Sequence, residues 1–481
     1  MKLRLIPSFV LFALPLPPAL AHADELRTTL NDQQSVAVTI YNENLALVKD
    51  QRQVQLPNGQ GTLAFRDVSA RMQPETALLR SLSDPGKLAV IEQNFDFDLL
   101  TPQKMLEKYV GKTVSIIRTN PATGAETTEQ AQVLSANNGA VLKIGDRIET
   151  GIPGRIVYSD VPENLRDRPT LVMLLNNSGA TQQNVELSYL TGGLAWRADY
   201  VAELNAADDK MDLSGWVTLT NTSGASYRNA KLQLVAGDVN RVRANFRSSD
   251  NKLMLERAPM AAAAPKPMAE ESLMEYHLYT LDHPTTIAEN QTKQVALLSA
   301  AGVPVRKELL LYGYDYYYSS SYGDLGQKMK VSVFVEFDNK ENAHLGMPLP
   351  KGVIRVYKKD SAGNAQFVGE DNIDHTPKNE KVRIKLGEAF DVTADKKQTD
   401  FKRLPNPFKG SAEFESAYEI TLKNAKKEVV TVTVQEPIPG EWSILKSSHK
   451  YEKATSNTAV WHIDVPAEGK TVLTYRVQTK Y

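Results

Sequence analysis

Cysteine is absent from the chain. That excludes a disulfide framework, a thiolate metal site, a cysteine nucleophile and a lipid-modified cysteine anchor. Past the first two dozen residues there is also no apolar run of the roughly eighteen residues a membrane helix needs, so no transmembrane helix is expected. An excess of one charge is missing too, with 56 basic residues set against 57 acidic ones. Phosphate binding needs a basic surface and anionic lipid a polybasic cluster, so nucleic acid is not an expected partner.

The N-terminus does carry a signal. Lys2 and Arg4 form a positive start, Phe9 to Leu20 is apolar, and Ala21-His22-Ala23 is the small-x-small pattern at which signal peptidase cuts. Residues 1–23 are therefore predicted to be a signal peptide, and the mature protein to be periplasmic or secreted. Cleavage removes Lys2 and Arg4 and takes the formal net charge from -1 to -3 (−1 minus 2).

Apolar and polar residues alternate through most of what remains, which is the signature of half-buried strands. Tyr418, Ile420 and Leu422 alternate with Glu419, Thr421 and Lys423. Val430, Val432 and Val434 alternate with Thr431, Thr433 and Gln435, and Met329 to Phe337 and Val382 to Leu386 repeat the pattern. Several strands lead into Asn-rich turns, at Asn176-Asn177-Ser178-Gly179, Asn221-Thr222-Ser223-Gly224 and Asn424-Ala425. Such residues supply the capped or left-handed geometry of a tight reversal.

The fold class expected is all-β: tandem immunoglobulin-like β-sandwich domains, with one short helix and a small SH3-like barrel inserted near the N-terminus. A β region is expected over 24–100. The helix (Thr101 as N-cap, Pro102 at its first position, Gly111 as its stop) and the barrel should occupy 101–165. A sandwich over 166–257 should continue over 272–410 after a flexible Ala/Pro-rich loop at 258–271, and a C-terminal immunoglobulin-like sandwich should fill 411–481.

A set of motifs then appears in order. Tyr189-Leu190-Thr191-Gly192-Gly193-Leu194-Ala195-Trp196-Arg197-Ala198-Asp199-Tyr200 is followed by Asp212-Leu213-Ser214-Gly215-Trp216-Val217 and Leu234-Val235-Ala236-Gly237-Asp238. Later come Asn290-Gln291-Thr292-Lys293, Pro348-Leu349-Pro350-Lys351-Gly352 and Gly369 to Pro377. Together they resemble the bacterial domain-of-unknown-function family 4139, from about residue 30 to the end. The resemblance implies an exported, β-rich protein with no assigned activity. Relatives labelled mucoidy-inhibitor-like carry a long coiled coil between two halves, and this chain has no such heptads.

Catalytic motifs are scarce. None of the histidines left after signal removal (277, 283, 344, 375, 449 and 462) forms an HExxH or His-x-His pair, and there is no Gly-x-Ser-x-Gly elbow. Ser443 to Lys446 and Ser447 to Lys450 fit Ser-x-x-Lys, but Trp442, Ile444 and Pro439-Gly440 place them on strand and turn, where serine and lysine point apart. A glycosidase needs two carboxylates about 5 to 10 Å apart across a cleft, which sequence cannot place. Trp196 and Trp216 sit in alternating strands and read as core, with Arg197 pairing Asp199 or a neighbour.

Two segments carry candidate binding chemistry. Glu370, Asp371, Asp374 and His375 crowd one turn, and Asp371 and Asp374 are the best candidates for a calcium site, though the spacing is not that of an EF-hand. Leu311 to Gly323 holds six of the 19 tyrosines among serines and glycines. That is the composition of adaptable contact loops, since a stiff ring offers area and a hydroxyl at low entropic cost. Tyr316, Tyr317, Tyr318 and Tyr322 are the candidate ligand-binding residues. No cofactor is implied. The reading is a non-catalytic envelope binding or scaffolding protein with a protein or glycan partner. An envelope hydrolase acting on glycan or peptide, or an outer-membrane-associated β protein, are the alternatives.

Overall fold

The structure is a computed structural model and describes residues 25–42, 44–162, 165–237, 239–240, 268–405 and 412–481. The predicted signal peptide and residues 258–267 of the predicted loop lie outside them. The end of that loop, Ala269–Glu271, belongs to strand Ala269–Leu273. The chain divides into two compact units. One comprises residues 1–36, 47–191 and 223–225, and the other residues 37–46, 192–222 and 226–481. The fold is all-β, and no helix among the described residues is long and apolar enough to cross a membrane.

In the first unit, strands Leu26–Thr28, Gly59–Arg66, Thr170–Asn177 and Leu88–Asp96 form a sheet in that order. Alternating Leu171, Met173 and Leu175 are its buried side. The one α-helix among the described residues is Pro102–Lys108, with the Thr101 side chain accepting from the Lys104 amide. It buries Met105 and Leu106 against Val114, Ile116, Val133 and Leu142 of a five-stranded antiparallel sheet. Gly111, at φ +85, turns the chain into that sheet with a backbone few residues but glycine adopt. The sheet order puts strands Arg147–Thr150 and Arg155–Val157 at opposite edges. The expected barrel is therefore not closed. Residues 151–154, Gly-Ile-Pro-Gly, carry the chain between the edges, and Pro153 has no amide with which to extend a ladder.

The second unit has a core of its own. Two strands of unusual length organise it, Gln291–Tyr312 and Lys381–Leu404. The first half of Gln291–Tyr312 pairs with Lys210–Asn221, and its second half with Asp324–Asp338 and Val430–Pro437. Lys381–Leu404 pairs first with Asp324–Asp338 and then with Glu413–Asn424. The boundary expected near residue 410 therefore cuts through continuous pairing. One core draws on Leu309, Val331, Val392 and Ala394 as well as Tyr418, Ile420, Leu422, Val432, Val434, Trp461, Leu473 and Tyr475. Each such side chain, fully buried, is worth about 1.5–3 kcal/mol.

Candidate functional site

The tyrosine-rich segment leaves strand Gln291–Tyr312 at Gly313 and makes a 3₁₀ turn, Asp315–Tyr318. Three residues per turn point successive side chains in three directions. Tyr312, Tyr314 and Tyr316 accordingly remain 50–51% exposed, whereas Tyr317 and Tyr318 are 1% and 0% exposed. The Tyr314 and Tyr316 rings stack at 5.7 Å with 26° between planes, and Tyr322 meets Tyr316 edge-on at 5.9 Å. Tyr317 stands beneath them, 4.7 Å from Tyr316 and 5.6 Å from Tyr314. Of the four candidates, Tyr316 and half-buried Tyr322 thus join Tyr314 in a shelf facing solvent. Tyr317 and Tyr318 face the core instead, where a ligand on the surface does not reach them.

The shelf is anchored from below. Gln398 Nε2 donates to the carbonyls of Tyr317 (3.3 Å) and Ser320 (3.1 Å), and its Oε1 accepts from the Tyr322 amide at 2.6 Å. The Tyr418 hydroxyl donates to the Tyr317 carbonyl at 2.6 Å. Tyr318 Oη donates to Glu436 Oε2 at 2.8 Å and lies 2.9 Å from Tyr475 Oη. Glu436 receives Lys396 Nζ on both oxygens, at 2.6 and 2.7 Å. Lys396 and Glu436 are 1% and 0% exposed, and Nζ sits 4.3 Å from the Tyr317 ring centroid. Burial pushes the Lys396 amine below its ordinary range, against the pull of Glu436, and lifts the Tyr318 and Tyr475 hydroxyls well above theirs.

This buried network escaped the sequence reading, although a signal for it exists. Val392, Ala394, Lys396 and Gln398 share one phase of the strand alternation, and so do Val430, Val432, Val434 and Glu436. A lysine and a glutamate in the inward phase of two apolar strands announce a buried pair.

The acidic turn is differently employed. Asp371 accepts from the amides of Lys385 (2.8 Å) and Asn372 (2.9 Å), and Asp374 from that of His375 (2.8 Å). Glu370 pairs with Arg355 at 3.1 Å. Among the described residues, no group of three or more His, Asp or Glu is gathered around a point where a metal would sit.

Other singled-out residues hold the framework. Trp196 is buried and Trp216 half-buried, and Arg197 pairs with Asp199 at 3.2 Å. Buried hydroxyls of Tyr279 and Tyr200 donate to the carbonyls of Pro348 (2.9 Å) and Pro350 (2.8 Å), clamping the Pro348–Gly352 motif. Ser443 and Lys446 lie on strand Glu441–Ser447, not on a helix.

A cavity of about 220 Å³ is lined by Leu204, Val333, Val335, Leu386, Asp208 and Glu388 among others. Burial raises both acids, but Lys358 and Lys307 outweigh it at Asp208, and Lys385 and Ser332 at Glu388. Both are held below the usual carboxylate range, opposite to the shift a general acid requires.

Residues 185–481 match the family model described as a domain of unknown function, DUF4139. That span contains the shelf, its buried anchor and the clamped proline motif. No curated protein matches the chain.

Proposed function

The chain belongs to the DUF4139 family, and from the tyrosine shelf inside the matched span we propose that it is an exported, non-catalytic binding protein of the bacterial cell envelope. The carrying observation is the placement of Tyr314 and Tyr316, half exposed and stacked just before two core residues, with half-buried Tyr322 edge-on to Tyr316. Single exposed aromatics are ordinary on protein surfaces. A cluster held still by hydrogen bonds from beneath is less so, because a ligand meeting it has little ordering entropy left to offset. Neighbouring ring faces edged with hydroxyls fit a glycan, whose sugar faces stack and whose hydroxyls exchange hydrogen bonds. Export is supported by the Lys2–Ala23 layout and agrees with a fold that uses no cysteine.

Thermal shift of the purified mature protein against envelope glycans, repeated with Tyr314→Ala/Tyr316→Ala, tests the binding reading. The expected result is a glycan that raises the melting temperature of the wild type and not of the variant, while the two unliganded proteins melt alike. A glycan-induced rise that survives the double substitution moves the site elsewhere. No response to any glycan, with a protein crosslinked through the shelf in intact cells, replaces the glycan with a protein partner. N-terminal sequencing of the protein from fractionated cells tests export: a chain beginning at Asp24 outside the cytoplasm is expected, and one retaining Met1 within it sinks that part.

A further inference from the structure

Lys396 and Glu436 come from strands Lys381–Leu404 and Val430–Pro437, which pair with different neighbours and face each other across the core. Their surroundings are mostly aromatic. Nζ lies 4.3 Å from the Tyr317 centroid and 5.3 Å from that of Tyr418, and Tyr318 and Tyr475 close the side of Glu436 Oε2. Gly313 closes another side so tightly that a β-carbon on it would stand 2.1 Å from Oε2. An ion pair in so dry a place commonly returns less than its desolvation costs. The same placement holds an amine nitrogen beside a carboxyl carbon, with a hydroxyl already donating to one oxygen. Such proximity in a shared cage is worth several orders of magnitude in rate.

We propose that Lys396 and Glu436 condense to an intramolecular amide, an Nε-(γ-glutamyl)lysine crosslink that staples the two faces of the sandwich. The ammonium first passes a proton to Oε1, leaving a neutral amine and a carboxylic acid. Burial favours that neutral amine. The terminal torsion of glutamate is broad, so the carboxyl can turn its face to Nζ while Oε2 stays on Tyr318. The nitrogen lone pair then forms the C–N bond at Cδ, and the carbonyl electron pair moves onto Oε2. There Tyr318 Oη donates to the developing oxyanion, the role that makes it catalytic. Tyr475, 2.9 Å from the Tyr318 hydroxyl and stacked on Tyr418, is a positioning residue. A proton moves from nitrogen to Oε1, the C–Oε1 bond breaks, and one water leaves as the carbonyl reforms. No oxidant, metal or co-reactant enters the balance. The product replaces two buried charges with a neutral amide, in a chain that has no cysteine with which to build another covalent staple.

Intact-mass measurement of the purified mature protein under denaturing conditions tests this. The wild type is expected to weigh one water less than its sequence, and proteolysis to release a branched peptide joining the Lys396 and Glu436 segments. Lys396→Met and Glu436→Met should each restore the full mass. In Tyr318→Phe the deficit should build up more slowly after synthesis. A wild-type mass equal to that of the sequence overturns the proposal, since an ion pair dissociates on denaturation and an amide does not. A deficit that persists in Lys396→Met overturns it equally, and because the wild-type mass decides alone, variants that fail to fold do not shelter the idea.

Discussion

Gly313 and Glu436 are packed so closely that a β-carbon on the glycine would lie 2.1 Å from Oε2 and 2.5 Å from the carboxyl carbon. The space a side chain would need is already occupied by the Glu436 side chain that anchors the tyrosine turn. Gly313→Ala should therefore destabilise the protein by about 1–3 kcal/mol as an overpacked core. The urea midpoint checks this. A fall in midpoint at unchanged slope is expected, and an unchanged midpoint would show that the carboxylate moves aside freely.

Tyrosines two residues apart should respond to loss of the hydroxyl to very different extents. Tyr318→Phe removes the donor at 2.8 Å from Glu436 and should cost about 1–3 kcal/mol, the usual cost of leaving a buried acceptor unsatisfied. Tyr316→Phe, with its ring half in solvent, should stay within about 0.5 kcal/mol of the wild type. Thermal unfolding of the pair decides whether the outward and inward halves of the turn are assigned correctly.

That division marks where the sequence stopped being legible. The alternation at Tyr418-Ile420-Leu422 and Val430-Val432-Val434 announced strands, and all six side chains are core. Within Tyr316-Tyr317-Tyr318, by contrast, every residue is the same. Composition could nominate the segment as special, but only the 3₁₀ geometry decides which rings face water. Lys396 and Glu436 lie 40 positions apart on strands that meet across the core, so their partnership is a product of topology. The long strands misled in the same way. The expected border lies between 410 and 411, whereas pairing through Lys381–Leu404 carries one core across it.

Acid should reveal a second buried charge cluster. Asp199 is raised by burial, but the Thr218 hydroxyl (2.6 Å), Arg197 and Arg355 (3.1 Å) more than compensate, and its carboxyl is held below the ordinary 3.8. A carboxyl depressed in the folded state contributes stability above its unfolded value and loses it as pH falls through the folded one. Stability should therefore decline below about pH 4. Asp199→Asn should be less stable at neutral pH and lose less on acidification. Urea midpoints at pH 7 and pH 3 test this, and parallel profiles for the two proteins would dismiss the Asp199 contribution.

The last prediction concerns the motif that ends at Gly352. This residue opens the parallel ladder between strands Leu194–Leu204 and Gly352–Lys359, paired with Ala198. A β-carbon here would stand 2.2 Å from the Ala198 carbonyl oxygen and 2.8 Å from its carbon. Those are backbone atoms, so no rotamer change relieves the clash, and the two strands must separate at the first rung. Pro350 cannot readily follow such a shift, because its carbonyl is fixed by the buried Tyr200 hydroxyl at 2.8 Å. Gly352→Ala should thus cost about 1–3 kcal/mol and lower hydrogen-exchange protection along Gly352–Lys359 before it does so along Glu413–Asn424. Gly323→Ala, where nothing lies within 4 Å of the added carbon, is the matched control and should leave both unchanged. Equal protection in the two variants would mean that the strand is held by side-chain packing alone, and that the close approach at Gly352 is incidental to the ladder.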